Sequence, residues 1–212
     1  MPFEPNKEQK DPIRLFESDF LEFFTHISPI TVLIIWVPIA GLSFGLSIMS
    51  GVDAGLLHWL PLVFISGLLF WTLAEYVLHR FVFHFPPKNA WQERITFLFH
   101  GIHHTQPQSK TRLVMPPVVS IPMAGIFFLF FRIIFGFSGA QSNFLVYGFF
   151  AAFITGYLCY DMIHYATHHF TIRAAWLKKI KLHHMQHHYK TPNMRYGVSS
   201  PLWDIIFNTN PK

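Results

Sequence analysis

Cysteine is almost missing from this chain of 212 residues: Cys159 stands alone. A single thiol excludes an internal disulfide and any zinc finger built on paired cysteines. Charge is also scarce, with Asp, Glu, Lys and Arg together making 13% of the residues while hydrophobic types make 51% and phenylalanine alone occurs 25 times. That balance does not suit a soluble domain of this length and points to an integral membrane protein of one domain. The formal net charge of +5 is explained by the lysine and arginine that membrane proteins gather on their cytoplasmic side, so no nucleic-acid partner is expected. No cleavable leader is visible, because residues 1–10 are charged, contain proline and lack an apolar core.

Four long apolar runs are present instead. Pro29 to Ser50 carries no ionisable side chain, and at 1.5 Å per residue its length of about 33 Å suffices to cross a bilayer. After a turn at Gly51–Gly55, a second run extends from Leu56 to Phe85 and is stopped by Pro86-Pro87. A third runs from Leu113 to Phe137, its start broken or kinked by Pro116, Pro117 and Pro122. A fourth runs from Phe144 to Phe170. The second and fourth exceed the hydrocarbon thickness, so their final turns are expected to emerge from it. The expected architecture is all-α: two transmembrane hairpins, crossing at about 29–50, 56–80, 116–137 and 143–165, beneath a cytoplasmic helical cap. Residues 1–28 are read as a loosely ordered polar tail through Pro12 and then an amphipathic helix over Ile13–Phe24. That helix would lie on the membrane surface, against the cap, or on a partner protein.

Charge placement orients this arrangement. The turns at Gly51–Gly55 and Gly136–Asn143 contain neither lysine nor arginine, whereas Arg80, Lys88, Arg94, Lys110, Arg112, Arg173, Lys178, Lys179 and Lys181 fall on the opposite side. Both termini are therefore expected in the cytoplasm. Arg132 is the exception and would snorkel outward.

Histidine is the residue type in excess. Ten of the 14 histidines fall into four clusters: His79 and His84; His100, His103 and His104; His164 and His168; His184, His187 and His188. Positions i, i+3 and i+4 of a helix share one face, so two of the clusters present triads. His79 and His84 lie about 140° apart around a straight helix, so either the helix end unwinds or they serve different ions. Packed together without a metal, ten imidazoles would repel when protonated and be hard to satisfy when neutral. Ten ligands exceed the needs of one ion and suit two, and an all-imidazole set fits Fe, Zn, Cu or Ni. Lone His26 and His58 are read as hydrogen-bonded core residues. Glu75, four residues before His79, and Asp161, three before His164, are read as acceptors for the outer N–H of ligating histidines, against the plainer reading of surface ion pairs. Tyr157 and Tyr160 share a helical stripe with Asp161, His164 and His168, which offers either a polar handhold for substrate or an interfacial aromatic belt.

At these clusters the chain resembles the membrane fatty acid hydroxylase and sterol desaturase superfamily, whose HxxxxH, HxxHH and second HxxHH motifs match His79/His84, His100/His103/His104 and His184/His187/His188. The pair His164/His168, the segment His79-Arg-Phe-Val-Phe-His84 and the tail from Tyr196 to Asp204 resemble its fatty acid 2-hydroxylase branch. The resemblance covers the chain from about Arg14 onward, with 29–212 as the hydroxylase domain. It implies a monooxygenase with two Fe ions (zinc in their place in a purified protein), using O2 and two electrons to hydroxylate C2 of a long fatty acyl chain, free or within a ceramide-type sphingolipid. Asp161 and Glu75 would support the metal ligands, and Tyr157 and Tyr160 the substrate. The basic cytoplasmic face would suit an acidic electron donor, a cytochrome of b type or a ferredoxin with its reductase. Relatives often carry a fused haem domain; this chain has no room for one, which points to a separate donor and to a bacterial inner membrane over the endoplasmic reticulum. Sterol or carotenoid hydroxylation, or desaturation, is the alternative on the same scaffold. A metal carrier is the alternative of another class, and it would place its ligands at mid-membrane instead of at helix ends.

Overall fold

The computed structural model describes residues 12–211, so the expectation of a loose polar tail lies almost entirely outside it. All regular elements among the described residues are helical: α1 (Asp19–Phe23), α2 (Pro29–Asp53), α3 (Leu60–Val77), α4 (Ala90–Thr96), α5 (Ile102–Thr105), α6 (Pro117–Phe135), α7 (Ser142–His169), α8 (Ala175–Tyr189) and α9 (Leu202–Ile206). Single-turn 3₁₀ segments precede α3 and α7, and π-helical turns follow α3 and α4. Four helices are long and apolar enough to cross a membrane: Pro29–Asp53, Leu57–Phe83, Pro117–Phe135 and Ser142–His169.

These four are not equivalent. In α7 61% of the most apolar window is buried, against 17 to 22% in the other three, so α7 is the core helix and the others face lipid. Helices α2, α3 and α6 all pack on α7, while the consecutive α2 and α3 barely meet. Small residues on α7 permit this. Gly148, Ala152 and Gly156 recur every four residues and make one stripe along which neighbouring backbones approach closely. A Cβ added at Gly156 would lie 2.5 to 2.7 Å from Trp71 side-chain atoms, and one at Gly67 of α3 would lie 2.6 Å from Ala152 Cβ. Around this seam Phe70, Phe127, Phe131, Phe149 and Phe153 form edge-to-face and tilted contacts. The buried Ser47 hydroxyl is paired in the apolar zone, donating to Phe144 O at 2.9 Å.

The proline cluster sets the start of α6 but does not break it, since Pro122 lies inside the continuous helix. Pro116 is extended and α6 begins at Pro117, where the missing N–H costs nothing. Arg132 reaches the uncharged turn, donating to Asn143 Oδ1 at 2.9 Å. Two further expectations fail. Residues Ile13–Phe24 are not one amphipathic helix, because only Asp19–Phe23 is helical. The backbone before it is held by side chains: Glu22 Oε2 accepts from Leu15 N and Phe16 N at 2.9 Å each, while Arg112 donates to Ile13 O and Arg94 to Leu15 O. His58 is an exposed turn residue beside Trp59 and not a core histidine, whereas His26 is hydrogen-bonded to Thr111 Oγ1 at 2.8 Å.

Because the α3–α7 seam has no room for added atoms, Gly156→Ala is expected to destabilise the chain by about 1–3 kcal/mol. Thermal unfolding in detergent would show this, and an unchanged midpoint would mean that Trp71 moves aside freely.

Candidate metal centre

The second and fourth spans, at 27 and 28 residues, are about 40 Å long and exceed a hydrocarbon core of about 30 Å. Their C-terminal turns therefore carry His79 and His164/His168 clear of the apolar zone. There they meet α4–α5 and α8. The histidines gather into two groups of five, His79, His84, His100, His104 and His187 in the first and His103, His164, His168, His184 and His188 in the second. Within each group one nitrogen from every ring lies within 4.8 Å of all the others.

Local helix geometry explains the partition. His79 and His84 join the same group because the helix widens: Leu78–Phe83 is π-helical and His84 N donates to His79 O at 3.1 Å. The insertion of one residue per turn turns the fifth residue onto the face of the first. The helix neither unwinds nor sends the pair to different groups. A second π turn, Phe97–Gly101, precedes α5 and carries His100. Both triads straddle the two groups, so their members do not act as single faces. His100 and His104 go to the first group and His103 to the second; His187 goes to the first and His184 and His188 to the second. Each group thus takes two rings from its own pair on a long helix and three from the triads.

The distances fit metal ligation. In the first group Nε2 of His79 and His100 are 3.0 Å apart, those of His100 and His104 3.1 Å, and those of His104 and His187 3.2 Å. In the second, His103–His164, His103–His188, His184–His188 and His168–His184 are separated by 3.0, 2.9, 3.1 and 2.8 Å. Nitrogens about 2.1 Å from one ion and at right angles around it would lie about 3.0 Å apart. Tautomers agree. A neutral imidazole has one N–H; His79 Nδ1 faces Tyr196 O at 2.5 Å and His187 Nδ1 faces Met194 O at 2.7 Å. Those bonds leave the Nε2 lone pairs pointing into the group. Burial, reinforced by neighbouring imidazoles, holds His100, His103, His104 and His184 well below the ordinary histidine range, and burial pulls His187 down to about 4. The rings are therefore uncharged donors, the form that binds a cation.

The carboxylates are placed otherwise than expected. Glu75 does not accept from His79. It is buried and receives Val198 N at 2.6 Å, Ser199 N at 2.8 Å and the Ser199 hydroxyl. Asp161 does not accept from His164; its Oδ2 receives Met115 N at 3.4 Å and its buried carboxyl lies beside the Tyr157 hydroxyl. Neither forms a surface ion pair. The outer acceptors for His79 and His187 are backbone carbonyls, a pattern that side-chain spacing does not reveal. Asp204 is a further buried carboxylate that ligand spacing does not single out: it accepts from Tyr196 N, Gly197 N, Thr209 Oγ1 and His183 Nε2 at 2.7 to 3.0 Å. Burial alone would raise its carboxyl, and those hydrogen bonds, His183 first, hold it below the usual range. A lone acid in the apolar run Leu202–Phe207 is the one signal of it in the sequence.

An apolar cavity of about 360 Å³ borders both groups, with His100, His103 and His164 in its lining beside Tyr160 and Asp161. Its other walls include Leu15, Phe24, Phe99, Ile102, Leu113 and Val118. Tyr157 is not among them. It sits in the core against Trp36 and Trp71, on a second and much smaller void. Arg112 and Glu22 form a mostly buried ion pair that fastens the segment of Leu15 and Phe24 over the cavity.

Known proteins give the same picture. The family profile described as fatty acid hydroxylase matches residues 64–209. The dihydroceramide fatty acyl 2-hydroxylase FAH1 of Arabidopsis thaliana is 36% identical over 95% of this chain and 81% of its own length. Fatty acid 2-hydroxylase of Rattus norvegicus is 34% identical over 93% of this chain, which spans 56% of that protein. A solved structure described as full-length scs7p, with only the hydroxylase domain visible, superposes with a TM-score of 0.81 at 32% identity, covering 92% of this chain and 70% of that one. The plant and the rat are both eukaryotes, which argues against a bacterial inner membrane. Four membrane-length helices, two five-histidine groups and these likenesses agree: the chain belongs to the fatty acid hydroxylase family.

Proposed function

We propose that this protein is a membrane-bound monooxygenase that hydroxylates C2 of a long fatty acyl chain, with a ceramide-type sphingolipid as the substrate class. The observation that carries the reading is the apolar cavity bordering both histidine groups, in a chain whose relatives are named for 2-hydroxylation of fatty acids and dihydroceramide. The cavity walls take the acyl chain and exclude water. His79, His84, His100, His104 and His187 would hold one iron and His103, His164, His168, His184 and His188 another, which would supply the activation of O2 with two electrons from outside. His100, His103 and His164 set the position of the oxidisable carbon by lining the same cavity. Asp161, which lines the cavity beside them, accepts a hydrogen bond from the amide N–H or acid O–H next to C2, and Tyr160 shapes the wall there. Tyr157 supports Trp36 and Trp71 and does not touch the substrate.

A separate electron donor, a cytochrome of b type or a ferredoxin, fits the outer side of α8. Arg173, Lys178, Lys179 and Lys190 are exposed there, while His184 and His187 are buried on the same helix. An acidic protein docking on that side would sit one helix thickness from the metal ligands. The termini and both groups lie on the cytoplasmic side by the distribution of lysine and arginine, in the endoplasmic reticulum by analogy with eukaryotic relatives.

His187→Ala is expected to abolish the gain of one oxygen in acyl lipids, read by lipid mass spectrometry of cells carrying wild type or variant, while the protein still reaches the membrane. Retained product would exclude His187 as a required ligand. Acidification from about pH 7 to about pH 4 is expected to lower the melting point and then release metal. An unfolded histidine takes up its proton near 6.5, whereas His187 in the fold resists to about 4, so stability is full above 6.5 and is lost as pH falls toward 4. A flat profile of metal content against pH would contradict the coupling.

A further inference from the structure

The two histidine groups match in number but not in how their outer nitrogens are held. In the first, the Nδ1 atoms of His79 and His187 are fixed by Tyr196 O and Met194 O. In the second, Nδ1 of His103, His164, His168, His184 and His188 is buried with no protein partner in every case. An imidazole whose outer N–H is held by an acceptor is oriented and made more basic toward a metal, and losing that acceptor costs about 10–100-fold in metal affinity.

Both acceptors come from one stretch of three residues, and that stretch is itself built around a carboxylate. Arg195, between the two carbonyls, has φ +60°, the left-handed conformation that turns successive carbonyls out of line. Asp204 then receives the next two backbone N–H groups, Tyr196 and Gly197, each at 2.8 Å. A Cβ at Gly197 would lie 2.1 Å from Ser200 O and 3.0 Å from Asp204 Oδ2, so the turn closes this tightly on the carboxylate only with glycine there. Thr209 Oγ1 and His183 Nε2 fix the carboxylate in turn.

We infer that Asp204 is a positioning residue for the first group: through residues 194–197 it aims His79 and His187, so that the ion of the first group is retained more firmly than that of the second. The inference rests on the reading that each group holds an ion.

The test uses the full chain loaded with zinc and exposed to rising chelator, with the zinc remaining per chain counted. His84→Ala and His168→Ala, each removing one ring from one group, identify which part of the release curve belongs to which group. Wild type is expected to release in two steps, the second group first. Asp204→Asn, of the same shape, is expected to bring forward only the step of the first group, by about tenfold in chelator concentration. Gly197→Ala, which forces the same turn open, is expected to do likewise and serves if the first variant does not fold. Release in one step, the reverse order in wild type, or variants that advance both steps equally would overturn the inference, the last by showing a merely structural role. A wild-type chain that takes up no zinc in either group would instead sink the two-ion reading itself.

Discussion

Ten uncharged imidazoles gathered into two mostly buried groups, with facing ring nitrogens about 3 Å apart in each, make the constraint on which the rest of the structure depends. Protonated, they would repel. Neutral, each carries one N–H, and where that N–H is fixed on a backbone carbonyl the remaining lone pair points at other lone pairs. A cation resolves both difficulties at each pocket. The fold is arranged so that four segments of chain reach those pockets at once.

Helix α7 does most of the arranging. At its membrane-embedded end Gly148, Ala152 and Gly156 let α2 and α3 close upon it, and at its far end His164 and His168 enter the second group. Because one rigid helix carries both features, packing in the apolar zone fixes where the ligands stand. Helix α3 does the same for the first group, with a π turn added so that two histidines five apart can share an ion. The cavity lies where these helices leave the apolar zone, which lets a lipid chain approach the centre without leaving apolar surroundings.

Much of this was legible in the sequence, for physical reasons. Apolar runs longer than a bilayer mark spans with protruding ends, and clustered histidines have little structural use without a metal. What was not legible was geometry that depends on backbone hydrogen bonding. Spacing places His184, His187 and His188 on one face, yet the two histidine groups lie close enough that one face serves both. Spacing sets Glu75 below His79, but the carboxylate turns to Val198 and Ser199, more than a hundred residues away in sequence. The segment Ile13–Phe24 has helical periodicity, yet Glu22, Arg94 and Arg112 capture the backbone of its first half in a non-helical form. Asp204 and the carbonyls of Met194 and Tyr196 are invisible to any search for ligand-type side chains, because they act one bond further out.

The central claim, two ions each held by one five-histidine group, is tested most directly by anomalous scattering from crystals of the metal-loaded protein. The account predicts two peaks, one in each group, each about 2.1 Å from nitrogens of its five rings. A single peak shared by both groups, or peaks lying away from these histidines, would contradict it.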